Sequence, residues 1–280
     1  MSITWKVPES RRQTHLHTQN KVTWLTFEKL EKETWLQHLF STRLGGISEG
    51  YLGEMNLSFT QEPGEDGEKN VRRNFEILAD AAGFSMDDVV MSDQTHTTNV
   101  VHVTDKDKGR GWSRDKDWKD VDGFVTNTPG VILSTFYADC VPLYFADPIH
   151  KAIGLSHSGW RGTAGRIGQV TVEKMYQLFG TDPGNLICVI GPSICCDCYE
   201  VSEEVARVFP NSCSSKKENG KYQLDLWRAN RLILEESGVP GANIMTPEIC
   251  TSCNKDFLYS HRATRGKRGN LGAFIGIKAD

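Results

Sequence analysis

Long apolar runs are missing from this 280-residue sequence, and no segment approaches the roughly 20 apolar residues that a membrane-spanning helix needs. Residues 1–6 also lack the basic stretch followed by an apolar core that marks a secretory signal. We therefore expect a soluble, cytoplasmic protein without a membrane partner.

An excess of basic charge is missing as well. The formal net charge is -4, from 32 Lys and Arg against 36 Asp and Glu, so the surface as a whole does not attract a polyphosphate backbone. The basic run at residues 262–268 is interpreted as a solvated loop. We therefore predict that nucleic acid is not a partner.

Internal repeats, low-complexity tracts and obvious linkers are also absent from the sequence. The length and an ordinary composition, with 38% hydrophobic and 24% charged residues, are typical of a globular protein that builds its own core. The economical interpretation is a single α/β (α+β) domain over residues 1–280, in which residues 1–35 form an irregular N-terminal segment with one or two strands.

Helical spacings and short β-rich runs alternate along the rest of the chain. Val71, Phe75 and Leu78 predict a helix over residues 65–82, with Gly83 as its C-terminal cap. Several apolar runs lack alternation, which favours strands covered on both faces. The predicted strands are 100–103, 124–126, 131–137, 143–146, 153–155, 186–190 and 273–277, the further helices are 163–179, 202–208 and 225–237, and the loops are 106–119 and 212–221.

Three short segments place a metal-competent side chain among turn residues beside a predicted strand. His96, Cys140 and His157 lie in segments 93–96, 138–142 and 156–163. Strand ends can bring such distant residues to one rim of a sheet. Two imidazoles and one thiolate suit zinc, with a fourth position left for water. The residues alone leave this a hypothesis, because the spacings match no short zinc signature and a single histidine is more often packed or exposed.

These segments, in this order, resemble the signature of the laccase-domain family, also described as the YfiH/YlmD-type purine nucleoside phosphorylases. The similarity extends from about residue 40 to the C-terminus. Further matching motifs are Thr42-Arg43-Leu44-Gly45-Gly46-Ile47-Ser48, Asn56-Leu57-Ser58, Ile190-Gly191-Pro192-Ser193-Ile194, Cys198-Tyr199-Glu200-Val201, Leu224-Asp225-Leu226, Cys250-Thr251-Ser252-Cys253 and Ser260-His261-Arg262. The sequence departs from the family pattern at Glu54-Met55 and at Gly269-Asn270-Leu271, which leaves the preferred purine open.

The resemblance implies a fold, a metal and an activity. The implied fold is a single domain of mixed β-sheets packed between helices, of the CNF-toxin/YfiH type. The implied metal is Zn²⁺ at His96, Cys140 and His157, with copper as the less favoured alternative. The implied reactions are phosphorolysis of adenosine, inosine, guanosine and S-methyl-5'-thioadenosine, and deamination of adenosine. Purine nucleoside and phosphate are thus the expected partners, and no oligomeric state is predicted.

Candidates for substrate contact follow from the same segments. Arg43, in a glycine-rich loop, is a candidate clamp for phosphate, and Asn56 is a candidate partner for ribose hydroxyls or phosphate. Residues 162–163 are expected to begin a helix whose amides can receive an anion. Gln94 and Asp139 either orient the metal ligands as their outer hydrogen-bond partners or cap the backbone.

The remaining cysteines have two interpretations. Cys250 and Cys253, together with the group Cys195, Cys196 and Cys198, can form a closed four-thiolate zinc site. We favour buried thiols, because one CxxC is weak evidence, the second group lacks the usual ligand spacing, and the family resemblance supplies no such site.

Two other functions compete with nucleoside metabolism. Cys140 activated by His157 can act as the nucleophile of an amidase that cleaves peptidoglycan precursors, and this is the main alternative. A copper polyphenol oxidase (laccase) needs an imidazole-rich shell. Only His15 and His17 pair closely, and they lie outside the matching region.

Overall fold

The structure is a computed structural model that describes residues 2–60 and 67–279. It contains short α-helices and strands joined by turns and single 3₁₀ turns. The strands are β1 (Thr14–Gln19), β2 (Val22–Phe27), β3 (Leu36–Ser41), β4 (Val89–Met91), β5 (Val100–His102), β6 (Gly123–Thr126), β7 (Ile132–Tyr137), β8 (Val141–Asp147), β9 (Ala152–Ser158), β10 (Ile187–Ile190), β11 (Glu200–Val201), β12 (Ser214–Lys216), β13 (Tyr222–Leu224), β14 (Ile244–Met245) and β15 (Leu271–Ile277). The helices are α1 (Glu28–Glu31), α2 (Glu68–Ala82), α3 (Trp160–Ala164), α4 (Ile167–Phe179), α5 (Glu203–Ala206), α6 (Leu226–Glu236) and α7 (His261–Thr264).

Two large mixed sheets form the centre of the fold. The first has the strand order β1-β2-β3-β15-β7-β4, and the second has the order β14-β10-β8-β9-β6-β5. The pairs β4–β7, β5–β6 and β10–β14 are parallel, and the other pairs in these sheets are antiparallel. A small antiparallel sheet, β11-β13-β12, lies apart from them.

The cores show how the layers are stacked. One core joins residues of both sheets, such as Phe40 and Leu133 of the first with Tyr144 and Leu155 of the second. A second core packs α4 and α6 against the other face of the second sheet, and a third packs α2 against the other face of the first sheet. The predicted arrangement, mixed sheets packed between helices in an α/β domain, is confirmed.

Helix α2 follows the sequence prediction closely. Val71, Phe75 and Leu78 are fully buried, and Gly83 ends the helix in the left-handed conformation, with φ of 78°. Glycine adopts this conformation without the steric cost that a Cβ brings. The first turn begins at Glu68, and residues 65 and 66 of the predicted helix lie outside the described residues.

The predicted helix over residues 163–179 is wrong as one element. The structure has α3 from Trp160 to Ala164 and α4 from Ile167 to Phe179. Arg166 between them has φ of 61°, which a continuing right-handed helix does not allow. The apolar spacing on the two sides is helical, and Gly165, which caps α3 directly before Arg166, is the local signal that the sequence analysis did not use.

The N-terminal caps predicted for the helices at residues 202–208 and 225–237 are present in the structure. The Ser202 side chain accepts a hydrogen bond from the amide of Val205, although the helix ends at Ala206 rather than Val208. Asp225 accepts from the amide of Arg228 at the start of α6. Side-chain acceptors satisfy the free amides of a first turn.

Residues 1–35 contain β1 and β2, in agreement with the one or two strands expected there, and also the short helix α1; β2 pairs with β3 in the first sheet. The polar loop predicted at residues 212–221 contains β12, which pairs with β13. In the part of the chain that the structure describes, no helix combines the length and hydropathy needed to span a bilayer.

Candidate functional site

Three loops at the ends of strands hold the side chains singled out as metal ligands. Cys140 lies in the turn between β7 and β8, and His157 is the penultimate residue of β9. Pro142 pairs with His157 in the β8–β9 ladder, so the start of β8 lies beside the end of β9. His96 lies in the loop between β4 and β5 and has φ of 68°.

The three donor atoms lie close enough to share one ion. One ligand atom each from His96, Cys140 and His157 lies within 4.8 Å of the other two. The Sγ atom of Cys140 is 4.0 Å from Nε2 of His96, and the two imidazole centroids are 5.0 Å apart. A Cβ at Gly159 would lie 2.8 Å from Cδ2 of His96 and 3.1 Å from Sγ of Cys140. Glycine at this position therefore lets the chain pass directly against the cluster.

Asp122 orients two of the three donor side chains. Its Oδ1 lies 2.8 Å from Nδ1 of His157, so Nε2 is the imidazole atom left for a metal. The same carboxylate accepts the amides of His96 and Thr97, at 3.1 and 2.7 Å. Asp122 is fully buried and His157 is 3% exposed. A carboxylate behind a ligating histidine is a common outer partner of metal sites, and the sequence analysis missed this residue.

The charges of the cluster are coupled. Burial opposes the thiolate of Cys140, but the neighbouring imidazoles of His157 and His96 outweigh it and lower the pKa of the thiol to about 6. Burial also opposes the imidazolium of His157, but Cys140 and Asp122 raise its pKa to about 9. The cluster is therefore built to stabilise an ionised sulfur, which is the form that binds metals and attacks electrophiles.

Gln94 and Asp139 fix the backbone on either side of the cluster. The side-chain amide of Gln94 bonds the peptide of Phe136 in both directions, at 2.6 and 2.8 Å. Asp139 accepts the hydroxyl of Thr251 at 2.6 Å and the amide of Arg262 at 2.7 Å. Of the two roles expected for this pair, backbone anchoring is the one that these contacts support.

A cavity of about 570 Å³ opens above the three donors. His96, Cys140 and His157 all contribute to its wall. The other residues that line it and matter for chemistry are Ser58, Phe59, Asp93, Lys116, Phe136, Asp139, Trp160, Tyr199, His261, Arg262, Arg268 and Asn270. The wall of this one cavity therefore carries aromatic side chains, cations and the three donors.

The cations of this cavity come from segments that the sequence analysis set aside. Arg268 belongs to the run interpreted as a solvated loop, yet it is half-buried and lines the cavity. Its Nε is enclosed and has no hydrogen-bond partner among the described residues. The guanidinium of Arg262 lies 5.0 Å from the ring of Tyr199. Lys116 lies 2.8 Å from Asp93.

Arg43 is not placed as a phosphate clamp. Its guanidinium donates to the carbonyl oxygens of Gly53 and Lys255 and lies 4.7 Å from the ring centre of Tyr259. Arg43 is not among the residues that line the cavity. These carbonyls occupy Nε, Nη1 and Nη2, and the side chain joins the two loops, so the contacts described here favour a structural role for Arg43.

Asn56 is also a structural residue. It is fully buried, and its Oδ1 accepts the amides of Ser58 and Asn270 at 3.1 and 3.0 Å. These bonds hold two neighbours that do line the cavity. These contacts favour a positioning role for Asn56, and its direct contact with ribose or phosphate stays a prediction.

The helix expected to begin at residues 162–163 begins earlier. Helix α3 begins at Trp160, and the amide of Thr163 already donates to the carbonyl of Gly159 at 2.8 Å. This amide is part of the helix and is not available to an anion.

The fold and the donor cluster define a class of mixed α/β protein with a His/Cys/His set at the ends of its strands. Comparison with known proteins identifies the family. The family model described as multi-copper polyphenol oxidoreductase laccase matches residues 37–278, and the chain belongs to this family. Purine nucleoside phosphorylase YlmD of Bacillus subtilis is 36% identical over 247 residues, covering 85% of this chain and 87% of that protein. A purine nucleoside phosphorylase of Deinococcus radiodurans is 40% identical over 243 residues, covering 86% and 88%. The solved structure of Bacillus licheniformis hypothetical protein YfiH superposes with a TM-score of 0.87 at 33% identity, covering 94% of this chain and 99% of that one. The resemblance drawn from the sequence motifs is confirmed.

Proposed function

We propose that this protein catalyses zinc-dependent phosphorolysis of purine nucleosides, with deamination of adenosine as a second reaction of the same site. The names of the relatives support a nucleoside phosphorylase. The observation that carries the proposal is the composition of one cavity, whose wall holds the His/Cys/His cluster, aromatic side chains and the partly buried guanidinium of Arg268.

The donor set fits zinc better than copper. Two imidazoles and one thiolate with room for a fourth ligand are typical of a catalytic zinc site, although the description of the family names copper. His96, Cys140 and His157 would hold the ion, and Asp122 would fix the imidazole of His157 through Nδ1. When bound, zinc supplies a Lewis acid at the floor of the cavity.

Phosphate binding is assigned to the cationic wall. Burial lowers the pKa of Arg268, and the negative charges of Asp139 and Cys140 oppose that effect. A guanidinium remains charged under these conditions, and a half-buried guanidinium on the wall of a cavity is suited to an anionic ligand. Arg262 lines the same cavity and adds positive charge. Phosphate held there would share the cavity with the nucleoside, as phosphorolysis requires.

The purine base is assigned to the aromatic wall. Phe59, Phe136, Trp160 and Tyr199 line the cavity. Phe59 is 39% exposed and stacks on Phe75, with ring centroids 5.6 Å apart. Aromatic faces supply stacking that tolerates different purines, which is consistent with adenosine, inosine, guanosine and S-methyl-5'-thioadenosine as a common substrate class.

The test is incubation with adenosine, inosine and S-methyl-5'-thioadenosine, with and without phosphate. We expect phosphate-dependent release of free base from all three and phosphate-independent loss of the C6 amino group from adenosine. Cys140→Ala is expected to abolish both reactions, whereas Cys213→Ala, a buried thiol in the second core, is the matched control and should retain them. Full activity of the Cys140→Ala protein would overturn the proposal.

One observation favours the amidase alternative. Asp122, His157 and Cys140 also form the carboxylate, imidazole and thiol of a nucleophilic triad. A sulfur bound to zinc cannot at the same time be a free nucleophile. Rapid alkylation of Cys140 in protein with a full complement of zinc, together with cleavage of peptidoglycan precursors, would favour the amidase over the phosphorylase.

A further inference from the structure

A second group of metal-competent side chains lies outside the cavity. Within residues 2–60 and 67–279, one ligand atom from each of four cysteines lies within 4.8 Å of the other three. This four-cysteine cluster consists of Cys195, Cys198, Cys250 and Cys253. We propose that the four-cysteine cluster binds one zinc ion in a closed, structural site.

The spacing of the sulfur atoms fits a single tetrahedral ion. A zinc–sulfur bond of about 2.3 Å gives a tetrahedron whose sulfurs are about 3.8 Å apart. The Sγ atoms of Cys198 and Cys253 are 3.5 Å apart, and the largest separation in the cluster is within 4.8 Å. An iron–sulfur cluster distributes its thiolates over more than one iron, so this compact set favours a mononuclear site.

The chain delivers the four sulfurs as two C-x-x-C pairs. Cys195 caps and Cys198 ends a 3₁₀ turn after β10, and after β14 Cys250 forms a bridge with Ser193 while Cys253 lies in the turn that follows. The sequence analysis discounted the group at residues 195–198 for its spacing, but Cys195 and Cys198 are themselves separated by two residues, and Cys196 between them lies outside the cluster.

The surroundings of the cluster suit thiolates rather than neutral thiols. The amides of Cys195 and Cys253 both donate to the Sγ of Cys250, at 3.2 and 3.5 Å. Such amide donors are the usual outer partners of metal-bound sulfur. Lys6 bonds Asp197 at 3.0 Å and is also within hydrogen-bond reach of Cys195. Asp197 lies 4.0 Å from the Cys195 sulfur, so the lysine offsets its negative charge.

The position of the cluster gives the ion a role in the fold. It would join the loop after β10 to the loop after β14, which already touch through the bridge between Ser193 and Cys250. Both loops support Asp139, the neighbour of Cys140. Ile194 donates its amide to the Asp139 carbonyl at 3.0 Å, and Thr251 donates its hydroxyl to the Asp139 carboxylate. A zinc ion here would hold the cavity wall without touching substrate.

Metal analysis of two variants tests the proposal. Cys253→Ser removes one member of the cluster, and Cys196→Ser removes a half-buried cysteine that lies between two members without belonging to it. We expect Cys253→Ser to lose one equivalent of zinc per chain relative to wild type and Cys196→Ser to lose none. Because both variants keep His96, Cys140 and His157, this difference does not depend on the proposed enzyme activity.

Two measurements on the unmodified protein cover the case in which Cys253→Ser does not fold. Wild type reconstituted with Co²⁺ is expected to show the intense thiolate-to-cobalt charge transfer of a four-sulfur site. Bound zinc should also resist a chelator until the thiols are blocked with a mercurial. Equal zinc in all three proteins, the absence of that cobalt spectrum, or a disulfide between Cys198 and Cys253 in peptide maps would each overturn the proposal.

Discussion

Replacing Asp122 by asparagine tests the metal site without removing a donor atom. Asp122 accepts hydrogen bonds from Nδ1 of His157 and from the amides of the loop that carries His96. An asparagine side chain has nearly the same shape but only one acceptor oxygen. Its NH₂ group would face the amide and hydroxyl of Thr97, which both donate to Oδ2 of the carboxylate at 2.7 and 2.9 Å.

The expected losses of zinc affinity and of stability follow from the hydrogen bonds that Asp122→Asn removes. Removing the outer partner of a ligating histidine costs roughly 10- to 100-fold in metal affinity, which is about 1.4 to 2.7 kcal/mol. Leaving a buried donor without its acceptor costs about 1–3 kcal/mol in the free energy of unfolding. Since Asp122 is fully buried, solvent cannot replace the lost acceptor.

The assay is competition for zinc with a chromophoric chelator, together with urea denaturation of the same samples. Asp120→Asn is the matched control. Asp120 is exposed, its carboxylate accepts the hydroxyl of Thr95 at 2.6 Å, and it has φ of 58°, which asparagine tolerates. Wild-type zinc affinity and wild-type phosphorolysis in Asp122→Asn would refute the assigned role.

Four further outcomes are expected. Arg268→Ala should raise KM for phosphate by about 10- to 100-fold, with a smaller change in KM for nucleoside in steady-state kinetics; equal effects on both would contradict the phosphate assignment. Arg43→Ala should lower the free energy of unfolding by about 2–4 kcal/mol in urea while KM for phosphate stays unchanged, because its contacts are to backbone carbonyls. Gly159→Ala should release the zinc of the His/Cys/His cluster, since the added Cβ would lie 2.8 Å from His96; chelator titration measures it, and undiminished zinc would count against the close approach of this loop to the donors. Burial lowers the pKa of His38 to about 3, so the unfolded state binds more protons between pH 6.5 and 3. Wild type should therefore lose up to a few kcal/mol as pH falls through that range, and His38→Gln should lose less in pH-dependent urea melts.

Local chemistry explains what the sequence could predict. The helix ends at Ser202, Asp225 and Gly83 depend on one side chain or on a missing Cβ, and all three appear in the structure as expected. The donors His96, Cys140 and His157 stand out by their motif context, and the β8–β9 register accounts for how two of them meet.

Tertiary contacts explain what the sequence could not predict. Arg43 and Arg268 both lie near glycines, yet one bonds carbonyls as far away as Lys255 and the other lines the cavity. Nothing within several residues of either arginine encodes that difference. The importance of Asp122 was equally hidden, because its partners at residues 95–97 lie about 25 positions earlier in the chain.

The separation of the three donors along the chain has a consequence for how the protein acquires its ion. Cys140 and His157 meet through the β8–β9 hairpin, but His96 joins them only after its loop docks on Asp122, which precedes β6 by one residue. An unfolded chain therefore offers no preformed chelate, and an ion at His96, Cys140 and His157 would bind after the sheet is assembled. Such an ion would be a late ligand that stabilises the finished fold by mass action, so protein that lacks an ion at this site alone should be folded and inactive and should recover activity without refolding.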